Sequence, residues 1–256
     1  MAFKKTYFCL ILFCFLTYPV FGWQLIPEQN PKEKEKAAGL KLVFAALNYK
    51  EKSDFSQDVQ TLIQRLKITP PFNEFSGVRF FRLELSPEEE KAFFLKKPEF
   101  PFLRVSFALV KALKEILGPY KLVMMDKSSG VSAAELSDIN HISFIILGRK
   151  RYPKRSGLGK GFMHELGHSL GLRDERPSSF CPLIPGPPNC AADLETAKEW
   201  WGDLAGEFRQ VGFFAVSDGK NTYIIPTQRS LMNDPQETRF FGPVNERYLR
   251  QQLGLP

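Results

Sequence analysis

The stretch from His164 to Asp174, H-E-L-G-H-S-L-G-L-R-D, constrains this chain more than any other, because it dictates local structure and chemistry together. Residues four apart on a helix lie one turn above the other on the same face. A helix through His164 and His168 therefore offers two imidazoles to one ion, and imidazole suits Zn²⁺. Glu165 stands beside the first imidazole, placed to take a proton from a water whose pKa the metal lowers. No other pentapeptide in the chain repeats the pattern.

The chain has only three histidines. The third, His141, lies upstream in an apolar run that reads as a strand, so no histidine beyond His168 completes the set. Asp174 stands six residues after His168, with Gly171 halfway. To bring Asp174 back to the metal, the helix must stop and the chain turn sharply. Glycine supplies the left-handed conformation such a turn needs, and a carboxylate is a competent zinc ligand.

The full pattern, H-E-x-x-H-x-x-G-x-x-D, resembles the metzincin signature of zinc metalloproteases with aspartate as third ligand. Downstream, Ser230-Leu231-Met232-Asn233 and then Phe241 to Arg250 resemble the methionine turn and closing helix of that family. The resemblance implies that Met232 forms an apolar floor beneath the ligands without binding metal. It also implies an α/β (α+β) fold: a mixed twisted sheet with packed helices, an active-site helix and a C-terminal subdomain with the methionine turn. Asp54-Phe55 through Phe72, the Trp200-Trp201 pair, and Thr222 to Asn233 are similar to the IgA-peptidase-type metzincins. That family carries one more residue between the glycine and a following Asp-Glu pair, so no immunoglobulin substrate carries over. Asp193, Glu195 and Glu199 form a rival third-ligand set, since another zincin class takes a downstream glutamate. They fall in an amphipathic stretch, Ala191 to Gln210, where carboxylates ordinarily make the solvated face. Gly171 and Met232 together favour Asp174.

At the N-terminus, Lys4 and Lys5 precede an apolar run from Thr6 to Val20 that ends at Val20-Phe21-Gly22. This reads as a secretory signal peptide, residues 1–22, cut before Trp23. The run is shorter than the roughly 20 residues a spanning helix needs, which disfavours a retained membrane anchor. Secretion, or release into another extracytoplasmic space, is the expected destination. Loss of the first 22 of 256 residues leaves 234, enough for one sizeable domain. Residues 23–38 are expected to be a flexible charged leader or short pro-segment, and 39–256 the catalytic domain. Cys181 and Cys190 are the cysteines left after cleavage. In an oxidising compartment they are expected to pair across the Pro-rich loop Pro182 to Asn189, the alternative being two free thiols.

The chain carries a net charge of +7. Part of it lies in Arg149-Lys150-Arg151 and Lys154-Arg155, read as a solvated loop before the active-site helix rather than a patch for acidic polymers. No aromatic interleaving points to nucleic acid. Gly157, Gly159 and Gly161 match neither nucleotide fingerprint and are expected to form a loop allowing close approach to the site. Apolar runs predict strands over 40–48, 120–125 and 142–147, and alternation predicts one over 78–85. Helical spacing predicts helices over 54–67, capped by Ser53 or Asp54, and over 105–117, with a helix start at Ser86-Pro87. Strands and helices alternate, as in a mixed sheet with helices packed on it.

Two functional classes follow. One is an exported zinc endopeptidase acting on protein or peptide. The other is an exported binding or adhesion domain with a structural or vestigial zinc. Structural zinc sites are ordinarily closed by four protein ligands and rich in cysteine. The candidate set here has three ligands, no cysteine and a carboxylate placed for base chemistry, which favours the enzyme.

Overall fold

The computed structural model describes residues 23–28, 39–96, 103–137, 142–176, 189–217, 219 and 221–256. Its helices are α1 Lys52–Lys67, α2 Pro87–Phe93, α3 Phe107–Leu117, α4 Arg155–Ser169, α5 Leu194–Glu207 and α6 Pro243–Leu253. Its first five strands are β1 Gln24–Pro27, β2 Lys41–Leu47, β3 Arg79–Glu84, β4 Phe94–Lys96 and β5 Leu103–Val105. The others are β6 Lys121–Asp126, β7 Ala133–Ser137, β8 Ile142–Gly148, β9 Phe214–Ser217 and β10 Thr222–Ile225.

Six strands form one sheet in the order β1-β3-β2-β6-β8-β7. The inner four run parallel, and β1 and β7 close the edges antiparallel. This is the mixed sheet with packed helices that the alternation of elements predicts. Successive strand residues point to opposite faces. Leu42 and Phe44 of β2 therefore join Val123 and Met125 of β6, and Ile145 and Leu147 of β8, in one core with α1 and α4. Val43, Ala45, Leu122, Met124 and Ile146 face the other way, onto α3 and Trp23. Parallel strands covered on both faces are apolar along most of their length, as β2, β6 and β8 are.

The helix predicted over 54–67 forms as α1, burying Phe55, Val59, Leu62, Ile63 and Leu66. It starts slightly earlier than expected. Glu51 is its N-cap and makes no side-chain cap bond, while Asp54 instead accepts from Lys127 Nζ at 2.9 Å. At α2 the capping box is complete, with Ser86 accepting from Glu89 N and Glu89 accepting from Ser86 N. The helix predicted over 105–117 begins at Phe107, after Ser106 accepts from Leu109 N.

Three expectations are corrected. The leader predicted for 23–38 enters the fold at its start: Trp23 is buried and β1 pairs with β3. Four edge residues are too few to show a period. Residues 29–38 and the segment 1–22, expected to be a signal peptide, lie outside the described residues. Gly157, Gly159 and Gly161 are not a loop; they lie inside α4. Glycine in a helix costs about 1 kcal/mol relative to alanine, and packing offsets it. A Cβ on Gly161 would lie 2.3 Å from Tyr152 Cζ, so only a bare backbone lets that ring pack on the helix. Finally, the basic run before α4 is only partly a solvated loop. Arg149 Nε and Arg155 Nε each donate at 2.8 Å to Asp58, a fully buried carboxylate on α1. Among the described residues no helix is long and apolar enough to cross a membrane.

Candidate metal centre

Helix α4 is buried along nearly its whole second half, from Phe162 to Gly167. It carries His164 and His168 one turn apart, as the spacing requires. Cap bonds end it: Leu170 N donates to Leu166 O and Gly167 O, and Leu172 N donates to Gly167 O. Gly171 takes φ +104°, the left-handed region predicted for it. A Cβ there would also lie 2.5 Å from Tyr248 Oη. The turn brings Asp174 back to the two rings.

Three ligand atoms converge. His164 Nε2 and His168 Nε2 are 3.1 Å apart, and Asp174 Oδ1 lies 3.2 Å from the first and 3.5 Å from the second. Four-coordinate bonds of 2.0–2.2 Å at tetrahedral angles place neighbouring ligand atoms about 3.3–3.6 Å apart. The observed edges of 3.1, 3.2 and 3.5 Å match that size or fall slightly below it. Its chemistry fits as well. His164 Nδ1 bonds Leu231 O at 2.6 Å and His168 Nδ1 bonds Leu172 O at 2.9 Å. A carbonyl oxygen only accepts, so each Nδ1 carries the hydrogen, and each neutral ring turns an Nε2 lone pair inward. Two lone pairs and a carboxylate oxygen then face one point, an arrangement that calls for a cation. Carbonyl partners of this kind fix ring orientation and tautomer in metal sites.

When protons rather than a cation occupy the inward Nε2 atoms, burial raises the Asp174 carboxyl, but hydrogen bonds from His164 and His168 and their charge outweigh it and hold the group well below the usual range. Burial lowers His168, and Asp174 overcomes this to raise it. Glu165 is buried, and that burial pushes its carboxyl up against the opposing pull of His164 and His168.

Met232 is fully buried, its Sδ only 2.7 Å from where a Cβ on Gly167 would stand. It thus lies directly against the turn of α4 that holds both histidines. The same segment supplies Leu231 O to His164. Of the rival carboxylates, Asp193 caps α5 by accepting from Thr196 N at 2.8 Å, and Glu195 and Glu199 are exposed. The metal-capable group among the described residues is His164, His168 and Asp174. His141 and Cys181 lie outside the described residues; Cys190 is buried against Tyr223 and Ile225.

Two residues at the centre escape sequence reasoning. Glu175, read only as part of an Asp-Glu pair, is fully buried. Its Oε1 accepts from Asn245 Nδ2 at 2.8 Å and Asn189 Nδ2 at 3.2 Å, and its Oε2 accepts from Ser230 Oγ. Its own N–H donates to Met232 O at 2.9 Å. One side chain therefore ties the ligand turn to the methionine turn and to α6. Asn189 reinforces it, exchanging two bonds with the backbone of Arg173. The other missed residue is Arg176, whose Nη2 donates to Asp174 Oδ1 at 3.2 Å. The sequence signal for both is position alone, immediately after the last ligand.

No protein-family model matches the chain, and no curated protein matches it. Among solved structures, an archaemetzincin from Methanopyrus kandleri aligns with 86% of this chain and 98% of its own, at 15% identity and a TM-score of 0.40. At that score the likeness lends no weight to the functional reading, which stands on the ligand geometry.

Proposed function

We propose that this chain is an exported zinc-dependent endopeptidase. The observation that carries the reading is the triangle of His164 Nε2, His168 Nε2 and Asp174 Oδ1, with both Nδ1–H groups bound to carbonyls. Two imidazoles select a borderline-soft ion over Ca²⁺ or Mg²⁺, and three protein ligands leave a fourth position open, as catalytic zinc sites do. A bound Zn²⁺ supplies Lewis acidity, lowering the pKa of water and polarising the scissile carbonyl. His164, His168 and Asp174 would hold it; Leu231 O and Leu172 O hold the rings. Glu165 takes the proton of the attacking water and passes it to the leaving amine nitrogen. Met232 keeps the floor of the centre apolar and binds nothing.

The export part of the proposal rests on the sequence of residues 1–22. It places the enzyme in a secreted or periplasmic setting, where Cys181 and Cys190 pair and tether the Pro-rich loop beside Asn189. Peptide or protein is the substrate class.

The test is cleavage of an unbiased peptide library, read by mass spectrometry, by the wild type and by Glu165→Gln. Cuts by the wild type that vanish with a chelator and in Glu165→Gln, at equal zinc per chain, are expected. Undiminished cutting by Glu165→Gln would sink the assigned mechanism. A zinc-loaded wild type that cuts nothing would favour a binding domain.

A further inference from the structure

Arg176 lies against the proposed metal centre without belonging to its ligand set. Its Nη2 donates to Asp174 Oδ1 at 3.2 Å and stands 3.5 Å from His164 Nε2, so one edge of the guanidinium meets two of the three ligand atoms. The backbone beneath it is fixed. Buried Tyr223 donates its hydroxyl to Arg176 O at 2.6 Å, and Glu175, one residue earlier, is bonded into the protein on all sides. Asp174 and Arg176 thus meet each other while Glu175 between them turns inward. The side chain itself is 35% exposed, so the charged group borders the accessible side of the centre.

The Asp174 carboxylate stands between the guanidinium and the metal position and offsets their repulsion, and the two positive charges together draw a further anion to the accessible side. Guanidinium suits that role: its charge does not titrate away, and its donors form a rigid planar fork matched to oxygen anions. Two other polar groups near the centre are engaged elsewhere. Asp234, two residues after Met232, caps its own turn by accepting from Gln236 N at 2.7 Å. Tyr223 Oη is bonded to the Arg176 carbonyl.

We infer that Arg176 binds the anionic oxygen of the group held at the open coordination position: in hydrolysis, the oxyanion that develops on the scissile carbonyl. The inference rests on the zinc-peptidase reading and adds a catalytic residue to it.

The test uses the zinc-loaded full chain and its Arg176→Gln, Arg176→Met and Arg176→Lys variants. Each is titrated calorimetrically with acetohydroxamate, a small metal-binding anion that needs no side-chain pocket, after its zinc content is measured. Arg176→Gln and Arg176→Met should keep their zinc and lose about tenfold or more in acetohydroxamate affinity, the worth of one charged hydrogen bond. Arg176→Lys, which keeps the charge but not the fork, should fall between them and the wild type. Wild-type affinity in either folded, zinc-loaded neutral variant overturns the inference and leaves the peptidase reading standing. Loss of zinc from a folded neutral variant overturns it too, because Arg176 would then serve the ligand set. A wild type that takes up no zinc overturns the peptidase reading, and this inference with it.

Discussion

Helix α4 is fastened near its two ends by buried carboxylates satisfied in opposite ways. At the N-terminal end, Asp58 of α1 accepts from Arg149 Nε and Arg155 Nε, each at 2.8 Å, and from Tyr49 Oη at 2.9 Å. Beyond the C-terminal end, Glu175 accepts from two amides and a hydroxyl, and burial pushes its carboxyl up to about 7. Both residues are fully buried. The first clamp balances charge with charge; the second relies on neutral donors. The difference follows from location. Next to the candidate metal site and Arg176, another cation would compete for Asp174, whereas amides and a hydroxyl hold the ligand turn without adding charge. Far from the ligands, an arginine pair is free to anchor the start of the helix.

The strongest way to break this comparison is Asp58→Ala. Removing one partner of a buried ion pair costs about 3–5 kcal/mol. The low end is expected, because Arg155 is 41% exposed and can return to water while Arg149, 11% exposed, cannot. The urea midpoint should fall accordingly, with zinc per chain unchanged. A loss no larger than that of an average surface substitution would show that the arginines do not depend on Asp58.

Glu175→Gln should do the reverse. Its amide oxygen still receives Asn189 and Asn245, so stability should fall by only about 1–2 kcal/mol. Disturbing a group that positions a ligand should nevertheless weaken zinc binding about tenfold, measured by competition with a chelator. If Asp58→Ala loses zinc while Glu175→Gln keeps it, the two clamps have been assigned the wrong roles.

The smallest expected effect sharpens the C-terminal end. Lys121 Nζ donates to Ser169 O at 2.7 Å and Ser143 Oγ at 3.1 Å, placing a cation on the last turn of α4. Burial pushes its pKa down from 10.5 to about 8. The unfolded chain therefore binds the proton more tightly between pH 8 and 10.5, and stability contributed through this group rises with pH across that window. Relative to Lys121→Met, the wild type should gain on the order of 1 kcal/mol between those limits. Parallel denaturation curves at pH 7.5, 9 and 10.5 would show that Lys121 is not desolvated.

Periodicity made much of the framework legible. The apolar runs behind β2, β6 and β8, the alternation behind β3 and the spacing behind α1 are strong signals because each element buries at least one face. Short edge elements were not legible. β1 is four residues long, and β7, Ala133–Ser137, has mostly small or polar side chains; both exist because a neighbouring strand offers an open row of backbone groups. The glycines of α4 misled for a related reason: local propensity argues against a helix there, and Tyr152 overrides it. The five basic residues around Lys150 likewise read as a solvated run, since nothing local reveals that Asp58, some ninety residues earlier, takes two of them.

At the site, the division has one physical cause. His164, Glu165, His168, Gly171 and Asp174 were readable because their relation is local: helix pitch sets the two rings, and a left-handed glycine sets the return. Chemistry of residue type and spacing within eleven positions is fully contained in the amino-acid order. Whether three ligand atoms close to within 3.5 Å, which ring nitrogen carries the hydrogen, and what holds Asp174 in place all depend on contacts between distant segments. Leu231 O, Asn245, Ser230 and the placement of Arg176 were decided only when the chain folded, because a hydrogen bond between residues tens of positions apart leaves no local pattern.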